Sequence, residues 1–514
     1  MEEHTLNNKK TCFDSEKYLR LQSEKIKEKM KEFDNKLYME FGGKLFDDFH
    51  ASRVLPGFDP NIQIKLLDHF KKDCEIIFVI NANDIEKNKI RADFGITYDM
   101  EVLRLIDSFR SRGLLVSAVV ITLFNDQPAA IAFKNKLENL GERVYCHYYT
   151  KGYPTDIETI VSEEGYGKNP YVETTKPLVV ITAPGPGSGK LATCLSQLYH
   201  EYKRGIKAGY AKFEKFPVWN LPLKHPVNIA YESATADLQD VNLLDSYHID
   251  AYGTMAVSYN RDLQAFPVVR SILKNIVNKD IYKSPTDMGI NTIAECIFDD
   301  DLAQESAKQE IVRRYYRAKV EIKKNNAPKH TEERIRLLMN ELNLDKYDRK
   351  CVKPAEKKEE LSLKPSVAIE LNDGTIVTGR QTDLLTASAS VVLNALKVIS
   401  GIEDKFELIS PQVLKPITDL KKNILNSKDG VLSLKDVLIA LSISAEYNPF
   451  AKVAYQNLDK LTGCEAHSTH ILSPTNEDTL RKLKVNMMIS LQTMNQQQNM
   501  RRKNILYKVM NNKI

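Results

Sequence analysis

The sequence has few of the features that would place it outside the ordinary globular class. Its seven cysteines are scattered singly with no Cys-x-x-Cys pair, which argues against a disulfide framework and a zinc knuckle. No apolar run resembles a membrane span or a secretory signal. The net charge of +5 is small for 514 residues and gives no reason to expect nucleic-acid binding. We therefore expect a cytoplasmic protein with reduced thiols that binds neither nucleic acid nor membrane.

The length of the chain is too great for one hydrophobic core, and changes in periodicity divide it into three modules. We predict an N-terminal α/β domain over 1–236, a helical domain over 237–350 and a smaller C-terminal α/β domain over 363–495. Residues 351–362, which are rich in lysine and glutamate, are predicted to be a linker. Residues 496–514 are predicted to form a basic tail.

Strand and helix patterns alternate along the N-terminal part of the chain. Short apolar runs over 75–81, 116–122, 143–148 and 178–183 predict strands, and helical periodicity appears between them. Such alternation is typical of right-handed βαβ units, so we predict a mostly parallel sheet between two layers of helices. Ligands of such sheets bind beyond the carboxyl ends of the strands, where the loops are expected to converge.

A glycine-rich loop follows the last of these strands. Residues 183–190 read Ala-Pro-Gly-Pro-Gly-Ser-Gly-Lys, and leucines at helical spacing begin directly afterwards. A helix N-terminus offers free backbone N–H groups and the positive end of the dipole, and glycines let an anion approach closely. The candidate binding residues are Gly185, Gly187, Ser188, Gly189, Lys190 and Thr193. We predict that a small phosphate-bearing ligand, such as a nucleotide with magnesium, binds at this P-loop-like turn.

This loop departs from the P-loop pattern in two places. Pro184 stands where the first glycine belongs, and Leu191 stands where the magnesium-binding hydroxyl belongs. Thr193 is the nearest hydroxyl, but two residues along a helix is roughly 200° around its axis, so it cannot simply replace the missing group. A tight turn whose glycines serve only packing is the alternative interpretation.

Three acidic residues are candidates for catalysis. Residues 227–232 are predicted to be a strand that ends in Glu232. In P-loop proteins a carboxylate at the end of a strand holds the water shell of magnesium, and Glu232 or the following Asp237 would do so here. Asp48 lies in a polar segment over 41–57, which suits a site and equally suits an ordinary surface loop. The catalytic assignment stays open among these three residues.

Glu465, His467 and His470 form a metal-like cluster in the C-terminal part. Residues 464–472 are predicted to be a strand, in which side chains alternate, so the two histidines would point to opposite faces. Glu465 and His467 would share a face, and we expect them to form a hydrogen-bonded structural pair rather than a zinc site. Neither His-Glu-x-x-His nor Gly-x-Ser-x-Gly is present, so peptidase chemistry is unsupported.

Several motifs are shared with a known family. They are Phe41-Gly-Gly-Lys-Leu-Phe-Asp-Asp, Ala51-Ser-Arg-Val-Leu-Pro-Gly, the glycine loop, Tyr231-Glu-Ser-Ala-Thr-Ala-Asp and Ala466-His-Ser-Thr-His. Through them nearly the whole chain resembles a bacterial family catalogued as domain-of-unknown-function family 1846, whose members are sometimes labelled ATP-dependent peptidases. The resemblance implies a multidomain α/β protein that forms homo-oligomers, and it supplies no reaction.

Two functions from different classes remain open. The first is an enzyme, a transferase or hydrolase that acts on a nucleotide or a phosphorylated metabolite, with an acid assisting a metal or a proton transfer. The second is a ligand-sensing or scaffold protein without turnover, which the missing hydroxyl at Leu191 favours.

Overall fold

The computed structural model describes residues 11–43, 45–91, 95–427 and 430–490. Contacts divide the protein into two compact units, an N-terminal unit that ends at Glu310 and a C-terminal unit that continues from Ile311. The boundary falls inside a helix of 24 residues, so no loop marks it. The three modules predicted from periodicity are therefore replaced by two units, and the predicted tail over 496–514 lies outside the described residues.

The N-terminal unit alternates short strands with helices. Its strands are β1 Leu37–Phe41, β2 Cys74–Asn81, β3 Ile90–Arg91, β4 Ile96–Thr97, β5 Leu115–Thr122, β6 Val144–Cys146, β7 Leu178–Thr182, β8 Gly209–Phe213, β9 Asn242–Leu244, β10 Val257–Tyr259 and β11 Gly289–Ile290. Its helices are α1 Ser15–Lys31, α2 Phe49–Val54, α3 Ile62–His69, α4 Ala82–Glu86, α5 Tyr98–Ser111, α6 Pro128–Asn139, α7 Ile157–Ile160, α8 Lys190–Lys203, α9 Pro226–Ala234, α10 Ser246–Tyr252, α11 Asn260–Val277, α12 Pro285–Met288 and α13 Asp300–Lys323. Single 3-10 turns lie at Tyr166–Lys168, Ala236–Leu238 and Ala294–Cys296.

Seven of these strands form one parallel sheet in the order β11-β8-β1-β7-β2-β5-β6. The central strands are buried along almost their whole length, as expected of a parallel sheet covered on both faces. The predicted parallel sheet is therefore confirmed. The two remaining strand pairs, β3 with β4 and β9 with β10, are short antiparallel ribbons outside it.

Helices cover both faces of the parallel sheet. In the register of β1, β7 and β2, Tyr38 and Phe78 point to opposite faces. Tyr38 donates a hydrogen bond of 2.5 Å to Glu201 of α8, whereas the ring of Phe78 packs on Phe109 of α5. The sheet is thus the middle of three layers.

The connections that leave β1 and β7 run in opposite directions. The chain passes from β1 across β7 to β2, and from β7 across β1 to β8. Because such crossovers are right-handed, the two connections cover opposite faces and leave a crevice beyond the carboxyl ends of β1 and β7. The glycine loop follows β7 and therefore lies at this switch point.

The predicted strand over 227–232 is wrong. These residues belong to α9, where His225 caps the first turn and Pro226 occupies the first helical position. All residues from Pro226 to Ser233 are buried, so the segment shows no apolar stripe and its periodicity cannot be distinguished from that of a buried strand.

The predicted helical domain and linker are also corrected. Residues 237–310 belong to the N-terminal unit, and β11 extends its parallel sheet. Residues 352–362 form a helix, α15, whose Val352, Ala355 and Glu359 are buried. The helix contacts the C-terminal sheet through small side chains that are spaced among lysines and glutamates, which is why composition alone suggests a linker.

Over the residues that the structure describes, the C-terminal unit combines a four-stranded sheet with seven further helices. The helices are α14 His330–Glu341, α15 Val352–Ser362, α16 Ala387–Ile399, α17 Pro411–Asn423, α18 Leu434–Ser444, α19 Pro449–Gln456 and α20 Pro474–Lys482, with a 3-10 turn at Leu458–Leu461. The strands are β12 Ser366–Glu370, β13 Ile376–Arg380, β14 Glu465–Ser468 and β15 Asn486–Ile489, in the spatial order β13-β12-β14-β15. Strands β12 and β13 form an antiparallel hairpin whose turn contains Gly374, and β14 and β15 pair in parallel on either side of α20.

Two expectations from composition can be compared with the described residues. All seven cysteines are unpaired, and only Cys146 is not fully buried. Among the described residues, no helix is both long and apolar enough to cross a membrane.

Candidate functional site

The glycine loop joins β7 to α8 and needs its glycines for steric reasons. Gly187 and Gly189 have φ values of +73° and +88°, in the left-handed region that glycine tolerates. A Cβ atom on Gly189 would lie 2.9 Å from the side chain of Thr122, and one on Gly185 would overlap the Tyr98 hydroxyl. The neighbouring loops therefore pack directly against the backbone of this turn.

Side chains from the two adjacent loops bind the carbonyl groups of the turn. Thr122 donates from Oγ1 to the carbonyl oxygen of Ser188 at 2.7 Å, and Asn81 donates from Nδ2 to that of Gly187 at 3.2 Å. The Ser188 hydroxyl donates to the carbonyl oxygen of Gly185 at 2.7 Å. These bonds orient the peptide units and make the turn a defined structure.

The N–H groups of the same turn have no such partners. Within the described residues, the backbone N–H groups from Gly187 to Ala192 have no intramolecular hydrogen-bond acceptor. The first chain-internal bond is made by the N–H of Thr193 to the carbonyl oxygen of Gly189. Six consecutive donors at the N-terminus of a 14-residue helix form a concentration of positive partial charge.

Lys190 is the first residue of α8 and lies above the end of β1. Its ammonium is 3.7 Å from Oε1 of Glu40, and the other carboxylate oxygen of Glu40 accepts a hydrogen bond of 3.0 Å from Tyr210. Burial and the Glu40 carboxylate raise the pKa of Tyr210 well above its usual value, so its phenol is a donor at neutral pH. Glu40 thus holds the lysine by charge without a close hydrogen bond.

A second group of charges lies beside Glu40 on the same face. Glu40 pairs with Lys212 in the β1–β8 register, and Lys212 donates to both oxygens of Asp262 at 2.8 and 2.7 Å. Its ammonium also forms a close ion pair with Glu214. Burial lowers the pKa of Lys212, but the carboxylates of Glu214 and Asp262 outweigh it and raise that pKa above its usual value. Burial raises the pKa of Glu214.

Asp48 lies at the carboxyl edge of the same sheet but forms its own ion pair. It caps α2 by accepting from the N–H of Ala51 at 3.2 Å, and it contacts the ammonium of Lys215 closely. Burial would raise the pKa of Asp48, but the Lys215 charge outweighs burial and lowers it. A buried, paired and ionised carboxylate of this kind suits a structural role better than proton transfer.

The other predicted site residues do not lie where they could bind magnesium or a ligand at the glycine loop. Glu232 is in the middle of α9, and its Oε2 accepts from the N–H of Asn242 at 3.1 Å, so it does not end a strand. Asp237 is exposed in the 3-10 turn that follows. Thr193 is fully buried and donates to the carbonyl oxygen of Gly189 at 3.0 Å, so its hydroxyl does not reach the surface of the loop. The magnesium role suggested for the strand-end acid is therefore wrong in its structural premise.

In the C-terminal unit, the side chains of the metal-like cluster contact other protein groups. Glu465 accepts from Arg313 at 2.6 Å, from Arg349 at 2.5 Å and from Asn486 at 2.9 Å. His467 is fully buried, and neither ring nitrogen has a hydrogen-bond partner. The strand predicted over 464–472 is confirmed only for Glu465–Ser468, and the predicted Glu465–His467 hydrogen bond is wrong. Among the described residues, no group of three or more histidine, cysteine or acidic side chains could hold a metal ion.

Sequence reasoning missed the group formed by Glu40, Lys212, Glu214 and Asp262. The signal was present, because Tyr210, Lys212 and Glu214 alternate with Ala211 and Phe213 and so mark one polar face of a strand. The acid at Glu40 carries no such signal, since one polar residue in an apolar run is common at a strand end. Only the strand order, which places β8 beside β1, brings them together.

Comparison with known proteins gives a family and no reaction. The family model described as "Domain of unknown function DUF1846, N-terminal" matches residues 11–343, and the corresponding C-terminal model matches residues 347–498. The chain is 57% identical over 487 residues to a UPF0371 protein of Clostridium botulinum (strain Alaska E43 / Type E3), covering 93% of this chain and 97% of that protein. It is also 57% identical over 484 residues to a UPF0371 protein of Clostridium botulinum (strain ATCC 19397 / Type A), covering 92% and 96%.

Proposed function

Because the chain belongs to the family described as domain of unknown function DUF1846, whose description names no activity, we propose a function from its residues: the turn over 183–190 binds a small phosphate-bearing ligand, a nucleotide or a phosphorylated metabolite. The observation that carries the proposal is the run of six backbone N–H groups without acceptors in the described chain. A phosphate offers the oxygens that these donors lack.

The energetics of such a contact favour an anion. A helix N-terminus stabilises a negative charge by about 0.3–1 kcal/mol when exposed and by up to ~2 kcal/mol when partly buried. Open space surrounds the position of a Cβ atom on Gly187, so an anion can approach the backbone there, and the bonds from Thr122 and Asn81 hold the turn in one conformation. A preorganised turn loses little conformational freedom on binding.

Lys190 supplies the formal charge in this proposal. Its link to Glu40 is an ion pair at 3.7 Å, so the ammonium can swing toward a phosphate without breaking a short hydrogen bond. Leu191 provides no hydroxyl and Thr193 uses its own within the helix, so we expect binding to depend only weakly on magnesium. A magnesium nucleotide would then be held mainly through its phosphates.

The group of Lys212, Glu214 and Asp262 favours turnover over simple binding. It contains a protonated amine and a carboxyl group whose pKa is raised by burial, beside the crevice into which the ligand would project. A proton donor beside a proton acceptor is a common arrangement for general acid–base catalysis. We assign Glu214 as the proton carrier of a transferase or hydrolase, with Asp262 as its positioning partner through Lys212.

A sensing or scaffold role without turnover is the alternative, and one experiment separates the two. Purified protein would be incubated with ATP, GTP and sugar phosphates, and product formation followed by phosphorus NMR. Turnover by wild type that is lost in Glu214→Gln while binding persists supports the enzyme. Binding of any of these ligands with no product from wild type leaves only the sensor.

Binding itself is tested by calorimetric titration of wild type and Lys190→Ala with ATP, GTP, inorganic phosphate and sugar phosphates, with and without magnesium. A charge-assisted contact contributes about 1.5–3 kcal/mol, so Lys190→Ala should weaken binding about ten- to a hundred-fold. Lys207→Ala, an exposed lysine beyond the same helix, is the matched control. If no phosphate compound binds, or Lys190→Ala binds as well as wild type, the turn is only a packing turn.

The proposal also covers the oligomeric state and the binding partners of the protein. We propose a homo-oligomer that takes a small ligand and neither nucleic acid nor membrane, supported by the small net charge and by the family resemblance. Sedimentation equilibrium of the full chain measures the oligomeric state, and a monomer at micromolar concentration would contradict it.

A further inference from the structure

The sheet of the C-terminal unit has one edge at which several strands end. Strands β13 and β14 are both antiparallel to β12, and β15 is parallel to β14, so β13, β14 and β15 run in one direction. Helix α16 begins after β13 and helix α20 begins after β14. Both helix N-termini therefore lie at the carboxyl edge of this sheet, where ligands of such folds bind.

A third helix begins at the same place. The N–H of Thr386, which precedes α16, donates to the carbonyl oxygen of Leu432 at 3.0 Å, and Leu432 lies two residues before α18. The N–H of Leu434, the first residue of α18, donates at 2.8 Å to Oδ1 of Asn476 in the first turn of α20. The N-termini of α16, α18 and α20 are thus directly connected, and their dipoles converge.

Unused donors are present on all three helices. Within the described part of the chain, the backbone N–H groups of Ala387, Ser388, Lys435 and Thr475 have no intramolecular acceptor. They belong to the first turns of α16, α18 and α20. A bound anion would satisfy donors from three elements at once.

Buried hydroxyls at this edge are also unpaired. Ser388 in the first turn of α16 is 0% exposed, and its Oγ has no hydrogen-bond partner. Ser388 is the second residue of α16 and lies directly beside the unpaired N–H groups at this helix N-terminus. Ser490, which directly follows β15, is 7% exposed and its Oγ is also unpaired. A polar group left unpaired in the interior is costly, which points to a missing partner.

The charges at this edge include an unusual lysine. Lys435 is the second residue of α18, is exposed and has no ion-pair partner among the described residues, although a cation in a first turn opposes the helix dipole. The carboxylate of the neighbouring Asp436 already accepts hydrogen bonds from the N–H of Ser433 and the ammonium of Lys421. Burial raises the pKa of Asp436, but Lys421 and Ser433 outweigh burial and lower it. Glu477 in the first turn of α20 is exposed to solvent.

We propose that this edge of the C-terminal sheet is a second ligand site, which takes a compact oxyanion such as inorganic phosphate, a phosphate monoester or a carboxylate. The backbone donors of the three helices bind its oxygens, Ser388 donates the buried hydrogen bond and Lys435 contributes charge. This site is independent of the glycine loop, because the two lie in separate units.

The test is equilibrium dialysis of the full chain with radiolabelled inorganic phosphate, carried out in a Lys190→Ala background and at phosphate concentrations below those that the weakened glycine loop binds. One phosphate per chain should remain bound. A hydrogen bond to a charged group contributes enough that Ser388→Ala should weaken it about ten- to a hundred-fold, and Lys435→Gln about three-fold. The matched controls, Ser444→Ala, a buried serine at the other end of α18, and Lys452→Gln, an exposed lysine of α19, should leave it unchanged.

A purely structural edge gives a different result. In that case Ser388→Ala removes an unpaired buried hydroxyl, raises the thermal midpoint and changes no phosphate binding. Competition with acetate then identifies the anion: displacement at equal concentration indicates a carboxylate site, and resistance indicates a phosphate site. Absence of bound phosphate and of bound acetate in the Lys190→Ala background would overturn the proposal, whatever happens at the glycine loop.

Discussion

The two sheets of this protein treat charged side chains in opposite ways. The N-terminal sheet places Lys212, Glu214 and Asp262 at its carboxyl edge, where their side chains are 20–27% exposed. In the C-terminal unit Glu465 is exposed to a similar degree, 25%, but its partners Arg313 and Arg349 are only 5% and 1% exposed. The first arrangement leaves charges within reach of a ligand, and the second commits them to the fold.

The difference has an energetic basis. Two charges taken out of water recover the cost of desolvation only if all their hydrogen bonds are made, so a buried network tolerates no missing partner. Charges that are 20–27% exposed keep part of their solvation, so losing one partner costs less stability. Residues at the open edge should therefore affect ligand binding, while residues of the buried cluster should affect folding.

The largest effect is expected from the buried cluster. Arg349 donates to Glu465 and to the carbonyl oxygens of Ala466 and Asn486. Arg349→Met should lower the free energy of unfolding by about 3–5 kcal/mol, because it removes a buried guanidinium and leaves Glu465 and two backbone carbonyl oxygens underpaired. Urea denaturation measures the change. Arg481→Met, which removes an exposed ion pair with Asp478, should change stability by less than ~0.5 kcal/mol.

This comparison would fail if the two arginine variants had equal stability. Adding Glu465→Gln to Arg349→Met should restore part of the loss, because the double variant no longer leaves the Glu465 charge underpaired. A double variant less stable than Arg349→Met alone would show that Arg349 acts mainly by packing.

A smaller loss of stability is expected at the glycine loop. Gly189→Ala combines a φ of +88° with a contact to Thr122, whereas Gly205→Ala has a φ of +79° and open space around it. The positive φ costs roughly 1–2 kcal/mol in both variants, and crowding adds about 1–3 kcal/mol to the first alone. Urea denaturation of both measures the difference. Equal losses would mean that Thr122 moves aside and does not define the turn.

Because of the buried histidine, the free energy of unfolding should be about 2 kcal/mol lower at pH 5 than at pH 7. Burial and the nearby Arg349 charge lower the pKa of His467 to about 3 in the folded protein, from an ordinary value of about 6.5. Between these values only the unfolded chain takes up the proton, so stability falls as pH drops below about 6.5, by up to ~1.4 kcal/mol per pH unit. Denaturation at pH 7 and pH 5 measures the loss.

Replacement of the histidine separates its share from that of other groups. His467→Leu should flatten the decline between pH 7 and pH 5, and His330→Gln, an exposed histidine of the same unit, should leave it as in wild type. If the stability of His467→Leu falls with pH as steeply as that of wild type, other groups cause the decline.

The smallest effect concerns the ion pair at the open edge. Glu40→Gln removes the negative charge that holds Lys190 at 3.7 Å, so phosphate affinity should rise by about three-fold with little change in stability. Calorimetric titration at low salt measures it, with the exposed Glu164→Gln as the control. Weaker binding in Glu40→Gln would mean that Glu40 positions the lysine productively.

The sequence by itself determined the local elements that have a strong signal. The apolar β7, the glycines after it and the leucine spacing of α8 specified a strand, a turn and a helix, because backbone preference and periodicity are local properties. The Asn-Asp-Gly sequence between β12 and β13 is a local hairpin signal of the same kind. Helix α9 escaped prediction because a segment buried on every side shows no periodicity.

Only the tertiary structure decided which charges meet. Residue 40, residue 190, the pair 212 and 214, and residue 262 come from four separate parts of the chain. The crossover that inserts β7 between β1 and β2 and places β8 beyond β1 brings them to one edge. The same holds for Glu465, whose partners on α13 and before α15 carry no pattern that marks them. Strand order depends on packing between distant segments, so the residues of an ionic cluster cannot be assigned from neighbours in the sequence.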